Sequence, residues 1–365
     1  MKIASSKSNL MEGINIVQKA VSSKSTLQIL EGILIEAGDT LKLTGNNLEI
    51  GIECVIEADI REKGSIVINS KMLGEIIRKL PESEVFIQTF ENNKVLIECE
   101  NSRFEIMGLS SEGYPALPQI EKQGSFNIKQ IELKEMIRQT IFSASTEESR
   151  PILTGCLFEL KDENFSIVAI DGFRLALRKT VLENQKGNIN VVVPGKTLNE
   201  IVKILQQTED TVQVYFTNNQ IMFDLGNCKI ISRLLQGEYM NYKNIIPVDY
   251  LTKTIVKTND LLSSIERASL IITSEEKKYP VRFNIEKDSF IITSNTEKGS
   301  VREEIPSDMT GNPLSIGFNP KFFIDALKAI DDEAINLLFT NNVGPCCIKP
   351  LVNDSYIYMI LPVRK

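Results

Sequence analysis

The sequence predicts an α+β chain of three tandem homologous units, each with two helices and antiparallel sheets. Three observations predict it. The pattern K-[MTF]-[LF]-x-[ED] begins at Lys71, Lys196 and Lys321, 125 residues apart both times. Each unit opens on apolar residues at helical spacing. The strand-like runs come in hairpins and do not alternate with helices, which favours antiparallel sheets over a parallel α/β arrangement. A period this long suits a whole domain and is too long for a solenoid repeat.

Other anchors share the register. Phe90-Glu-Asn-Asn93, Phe216-Thr-Asn-Asn219 and Phe339-Thr-Asn-Asn342 are spaced by 126 and 123 residues, and Tyr114 and Tyr239 by 125. The runs beginning at Leu41, Phe165 and Phe290 are spaced by 124 and 125.

The first helix of each unit is marked by Leu10, Ile14 and Val17, then by Leu133, Met136 and Ile137, then by Leu261, Leu262 and Ile265. Strands follow, with turn signals at 37–40 and 161–164. The second helix carries the lysine pattern. Asn69 and Ser70, Pro194 and Gly195, and Asn319 and Pro320 precede it, residues suited to helix starts. Closing strands follow, such as Val212, Val214 and Phe216 against Ile221, Phe223 and Leu225, alternating at period two. The Asn-Asn pairs fall between such runs, where a hairpin turn calls for residues that tolerate positive φ. Helices are expected over 5–21, 69–80, 127–145, 194–206, 257–272 and 319–330. The expected domains are 1–121, 125–247 and 250–365, with linkers near 119–125 and 247–251.

Net charge is −7, yet the six expected helices carry +6 and the remainder −13. Lys and Glu form helices about equally well, so propensity does not explain the bias. A shared basic surface made by helices does, and such a surface can hold nucleic acid despite an acidic total. No apolar run is long enough to span a membrane, and the first residues lack a signal-peptide core. The six cysteines show no C-x-x-C spacing, and Cys346 and Cys347 are adjacent, which suits neither an ordinary disulfide nor a zinc site. A reducing, cytoplasmic setting without membrane association is expected.

The segment Gly195-Lys196-Thr197 tempts a nucleotide-binding reading. The position five residues before Gly195 is Asn190 and not glycine, and Pro194 removes a backbone donor. Lys196 also aligns with Lys71 and Lys321, which lack the glycine. The chain has no histidine, so serine–histidine and cysteine–histidine catalysis and histidine-bearing metal sites are excluded. The acidic cluster Asp331-Asp332-Glu333 reads as a solvated turn. Neither an enzyme nor a cofactor is expected.

Specific segments then carry a resemblance. They are Thr26-Leu-Gln-Ile-Leu30, Leu41-Lys-Leu-Thr-Gly-Asn-Asn-Leu-Glu49, Arg150-Pro-Ile-Leu-Thr-Gly155, Ala169-Ile-Asp-Gly-Phe-Arg-Leu-Ala176, Gly317-Phe-Asn-Pro320 and Tyr358-Met-Ile-Leu-Pro-Val-Arg364. With them the chain resembles the bacterial DNA polymerase III beta subunit family, the sliding clamps, along its whole length. The resemblance implies three DNA-clamp domains per chain and a head-to-tail homodimer closed into a ring around double-stranded DNA. Helices would line the hole. The function implied is that of a non-catalytic processivity factor in DNA replication.

The resemblance also implies site residues. Lys24, Lys71, Arg78, Arg150 and Lys196 match basic or duplex-facing positions or stand beside them in sequence, and Lys321 joins them by repeat position, where a solvated helix start is the competing reading. After Arg150 the family has aromatic residues, whereas this chain has Pro151 and Ile152. A partner-peptide pocket would use Leu153, Ile170, Gly172, Phe173, Arg174, Leu175, Met240, Ile245, Asn319, Phe322, Pro345, Met359, Leu361, Pro362, Val363 and Arg364. Core packing is the competing reading for its apolar members. Phe173, Met240 and Asn244 depart from the residues usual there. The dimer interface would join Arg103, Phe104 and Ile106 of one chain to Leu270, Ile271 and Ile272 of the other, with Glu303 or Glu304 as ionic partners. The implied partners are the replicative polymerase alpha subunit, an ATP-dependent clamp loader, and other polymerases and mismatch-repair proteins carrying short peptide motifs. Two rival readings stand beside this one: a nucleotide-dependent enzyme using Gly195-Lys196-Thr197, and an acidic scaffold that does not bind DNA.

Overall fold

The computed structural model describes residues 1–22, 24–120, 124–185, 187–272 and 280–363. Among them are six α-helices: α1 (Lys7–Val17), α2 (Ser70–Lys79), α3 (Gln130–Arg138), α4 (Gly195–Ile204), α5 (Thr258–Ser269) and α6 (Pro320–Lys328). The chain condenses into two compact units. One is Met1–Ile131 with Lys203–Leu234, and the other is Glu132–Val202 with Leu235–Lys365.

Helix starts follow local chemistry. The Asn69 side chain accepts from Met72 N–H at the start of α2, and the Asn319 side chain accepts from Lys321 N–H at the start of α6, both at 3.0 Å. Pro320 takes the first turn of α6, where a missing N–H costs nothing. In α2, Leu73, Gly74 and Ile77 face inward, and Arg78 and Lys79 lie in the last turn, where cations suit the helix dipole. Burying Leu73 or Ile77 contributes roughly 1.5–3 kcal/mol each.

The first unit holds two antiparallel sheets. Five strands run in the order Asp59–Glu62, Lys2–Ser6, Glu84–Thr89, Lys94–Cys99 and Ser102–Met107. Eight run in the order Gly124–Lys129, Thr211–Phe216, Gln220–Asp224, Cys228–Arg233, Ile50–Ile56, Leu41–Asn46, Gly32–Ala37 and Gly64–Asn69. The seam pairs Ile230 with Ile52, so a strand of the second repeat continues the sheet of the first.

In the second unit nine strands run in the order Gly187–Pro194, Gly155–Asp162, Asn164–Ile170, Arg174–Val181, Tyr356–Ile360, Cys346–Lys349, Ala334–Phe339, Thr252–Lys257 and Asp308–Gly311. Here Ala176 pairs with Tyr358, joining the second repeat to the third. A four-stranded sheet runs Gly299–Pro306, Ser289–Thr296, Val281–Ile285 and Leu314–Phe318. Phe283, Phe290, Phe318 and Phe323 interlock edge-on or tilted, with ring centroids no more than 5.4 Å apart in the contacting pairs, and fill the core beneath α5 and α6.

Several expectations need correction. The helix expected over 127–145 is shorter at both ends: 127–129 belong to the strand Gly124–Lys129, whose Phe126 and Ile128 alternate inward, and α3 stops at Arg138, before a separate 3-10 turn at Ile141–Ser143. That strand begins at Gly124, paired with Phe216, so the first linker ends sooner than expected. Pro194 closes a strand opposite Gly155 and does not open α4. Among the Asn-Asn turns, only Asn92 and Asn93 take positive φ, at 58° and 61°. In the second copy Thr217 Oγ1 accepts from Asn219 and Gln220, and in the third Asn341 Oδ1 accepts from Val343. Side-chain turns there replace the left-handed backbone.

Candidate functional site

The expected pocket residues are built by strand ends and turns of the second unit. Strands Asn164–Ile170 and Arg174–Val181 are joined by a turn in which Asp171 Oδ1 accepts from the N–H groups of Phe173 and Arg174, at 2.9 and 3.0 Å. Gly172 sits in that turn at φ +93° with open space around it, a backbone shape glycine adopts without strain. Tyr356–Ile360 pairs beside it, placing Leu175 opposite Met359. The chain then continues: Leu361 N–H donates to Phe173 O and Val363 N–H to Gly317 O, each at 2.9 Å.

Leu153, Ile170, Leu175 and Met359 are buried, the last three in one apolar cluster. Phe173, Met240, Ile245, Leu361 and Val363 are exposed; Phe173 shows 58% of its surface and Leu361 37%. Phe173 stacks on Phe322 of α6 with centroids 6.2 Å apart. Asn319 caps α6, and Pro345 is half-buried just before Cys346–Lys349. Pro362 lies between two anchored residues. Arg364 falls outside the described residues.

Arg174 is the polar centre, and it is buried. Its guanidinium donates to Asp171 Oδ2 (2.9 Å), Asp325 Oδ2 (2.7 Å) and Phe142 O (2.6 Å), and lies 4.7 Å over the Phe322 ring. Asp171, Asp325 and Phe142 were not among the expected site residues. Asp325 closes the repeated lysine pattern, which was the available signal. Further along the segment 239–246, Glu159 accepts from Tyr242 and Lys243 at 2.6 and 2.8 Å. Burial raises the Glu159 pKa, but the hydrogen bonds from Lys243 and Tyr242 outweigh it and hold the carboxyl below its ordinary value. Burial, then the bond to Glu159, pushes the Tyr242 phenol above its usual range.

The expected interface residues lie on two sheet edges. In the first unit, Ser102–Met107 stands last in its sheet. Arg103 and Phe104 are exposed and Ile106 half-buried, and Arg103 is bonded to Glu98 and Glu105. In the second unit, Gly299–Pro306 stands last in the four-stranded sheet. Leu270 at the end of α5 is exposed, and Ile271 and Ile272 are half-buried. Glu303 is engaged by Arg267 of its own chain, and that hydrogen bond lowers its pKa. Glu304 pairs with Arg302 at 2.7 Å.

Of the expected DNA-facing residues, Lys24, Lys71, Arg78, Arg150, Lys196 and Lys321 are all exposed. Lys71 and Arg78 are seven apart on α2, so they share a face. The same spacing puts Lys203 beside Lys196 on α4, and Lys328 beside Lys321 on α6, where Lys328 pairs with Glu266 at 2.8 Å. Positions 78, 203 and 328 are themselves 125 apart. Lys203 and Lys328 lie beyond the acidic residue that ends the lysine pattern. The start of α4 is not a phosphate loop: a Cβ on Gly195 would lie 2.7 Å from Thr154 O, and Thr197 is buried.

Three family models cover the chain in order: DNA polymerase III beta subunit, N-terminal domain, over residues 1–118; central domain over 127–241; and C-terminal domain over 243–364. The chain belongs to the DNA polymerase III beta subunit family. It is 37% identical to the beta sliding clamp of Halalkalibacterium halodurans over 369 residues, covering 97% of each chain. To the beta sliding clamp of Staphylococcus epidermidis it is 35% identical over 361 residues, covering 96% of each. It also superposes on the crystal structure of the DNA polymerase sliding clamp from Bacillus subtilis with TM-score 0.96 and 36% identity, covering 100% of this chain and 99% of that one. The beta-subunit fold thus accounts for three tandem clamp domains of helices and antiparallel sheets. No helix among the described residues is long and apolar enough to cross a membrane.

Proposed function

We propose that this chain is a non-catalytic DNA polymerase processivity factor that closes, with a second copy of itself, into a ring around duplex DNA. Membership of the beta-subunit family supports the function. The observation that carries the ring is the pair of different sheet edges, Ser102–Met107 and Gly299–Pro306, each last in its sheet. An unpaired edge offers a row of backbone donors and acceptors to another strand. Because the two edges differ, their pairing is head-to-tail, and such contacts close into a ring when the rotation allows. We take its three domains as 1–121, 125–247 and 250–365.

Lys24, Lys71, Arg78, Arg150, Lys196 and Lys321 would meet phosphates. Contacts of this kind are independent of sequence and weak, with Kd on the order of 10⁻⁴–10⁻⁶ M. They permit sliding, while topology prevents escape. The surface around Phe173, Arg174, Leu175, Met359 and Leu361 would receive short apolar peptide segments of the polymerase and clamp loader, and of other polymerases and mismatch-repair proteins. The setting is the cytoplasm, where the DNA is.

Native mass tests the ring. One chain is 41.0 kDa, and twice that is expected at micromolar concentration. Phe104→Arg, which puts a second charge beside Arg103, should lower it to one chain without unfolding. A single-chain mass for the unaltered protein would remove the proposal.

A further inference from the structure

Cys54 and Cys228 face each other across the seam of the eight-stranded sheet. The Cys54 thiol donates to Cys228 Sγ at 2.7 Å, and both are free and buried. Val55 N–H donates to Asn227 O and Arg233 N–H to Glu49 O, so the cysteines fall on the intervening non-hydrogen-bonded pair. Opposite Cα atoms at such a pair are about 4.5 Å apart, with side chains drawn together. That lies within the window of about 4.4–6.8 Å that a disulfide needs. A cleft of ≈330 Å³ between α1 and this strand end is lined by Asn9, Glu12, Ile16, Cys54 and Asn227, which gives a small molecule a route to Cys54.

We infer that Cys54 and Cys228 are a peroxide-sensitive pair that closes a disulfide across the seam between the first and second repeats. The Cys54 thiolate attacks a peroxide oxygen: an S–O bond forms, the O–O bond breaks, and the departing hydroxide takes a proton to become water. Cys228 sulfur then attacks the sulfenic sulfur. The S–S bond forms, the S–O bond breaks, and the second oxygen leaves as water with the remaining proton. Two thiols lose two electrons and one peroxide gains them. Its hydrogen bond with Cys54, together with burial, pushes the Cys228 thiol well above the ordinary range. Only the thiolate is nucleophilic, so the reaction quickens as pH rises.

The test uses the full chain, treated with hydrogen peroxide and mapped by mass spectrometry without reduction. The expected result is loss of two hydrogens, a peptide linking Cys54 to Cys228, and reversal by dithiothreitol. The oxidised chain should also unfold at higher urea concentration. In Cys228→Ser, Cys54 should stop at the sulfenic acid and be captured by a 1,3-diketone trap. The unaltered chain remains decisive if that variant fails to fold. Unchanged mass, oxygen added without a link, or links among other cysteines would each overturn the inference.

Discussion

Arg174 and Asp325 form an ion pair at 2.7 Å that ties a strand of the second repeat to helix α6 of the third. Arg174 is buried, and its guanidinium carries the Phe322 ring, so the pair sets the polar centre of the candidate peptide surface. Removing one partner leaves a buried charge under-compensated. Asp171 remains beside the guanidinium in Asp325→Ala, which limits the loss. We expect destabilisation of about 1–3 kcal/mol and weaker binding of apolar peptides. Urea unfolding and a fluorescence titration would check this; unchanged values in both would show that Asp325 does not position Arg174.

The same turn recurs in the first repeat without the same surface. Asn47 Oδ1 accepts from Glu49 and Ile50, Leu48 takes φ 72°, Arg233 N–H donates to Glu49 O, and Gly51 pairs with Ile231. Glu49, Ile50, Gly51 and Arg233 thus stand where the second repeat has Phe173, Arg174, Leu175 and Leu361. Charged lips should reject an apolar peptide, because burying an unpaired charge is costly. Calorimetry should therefore find one peptide per chain. Leu361→Ala or Val363→Ala should weaken it by about 1–2 kcal/mol, roughly tenfold, while leaving stability nearly unchanged. A stoichiometry of two, or unchanged affinity in both variants, would contradict the assignment.

The pH dependence should be flat near neutrality. Without histidine, no side chain has an ordinary pKa between about pH 5 and 8. Burial raises the phenols of Tyr114, Tyr239 and Tyr358. A group whose folded pKa is raised contributes stability that is full below its unfolded pKa, about 10 for tyrosine. That stability is lost as pH rises through the folded value. Glu159 and Glu303 are lowered, so their contribution is present above the unfolded carboxyl pKa, about 4.3, and lost as pH falls. Thermal midpoints should hold between about pH 5.5 and 8.5 and fall on both sides. A step near pH 6.5 would be unexpected.

The repeated cations should act alike. Lys71→Glu, Lys196→Glu and Lys321→Glu should each weaken duplex binding regardless of sequence, and reduce the salt slope by about one. Arg78, Lys203 and Lys328 should follow the same pattern more weakly where an ion pair already holds the side chain, as Glu266 holds Lys328. Binding assays from low to moderate salt would show it; sequence-dependent losses would refute it.

The repeat was legible because its anchors are local: Asn69 and Asn319 cap helices as the sequence suggests, and Leu73 and Ile77 bury at helical spacing. The family segment Ala169–Ala176 marked the turn in which Asp171 accepts from Phe173 and Arg174. Missing from that reading were interactions between distant residues. Phe142 and Asp325 reach Arg174 only through folding, and the Cys54–Cys228 contact spans two repeats. The extent of the strand Gly124–Lys129 was hidden because Ile128 fits both a helical and an alternating pattern, and its pairing with Val212 decides between them.

A closed ring holds DNA by topology, so retention on DNA tests it most directly. Protein loaded by its ATP-dependent loader onto nicked circular duplex should remain through a salt wash, and should run off once that circle is cut open. Equal retention on circular and linear DNA, or equal loss from both, would contradict a closed sliding ring.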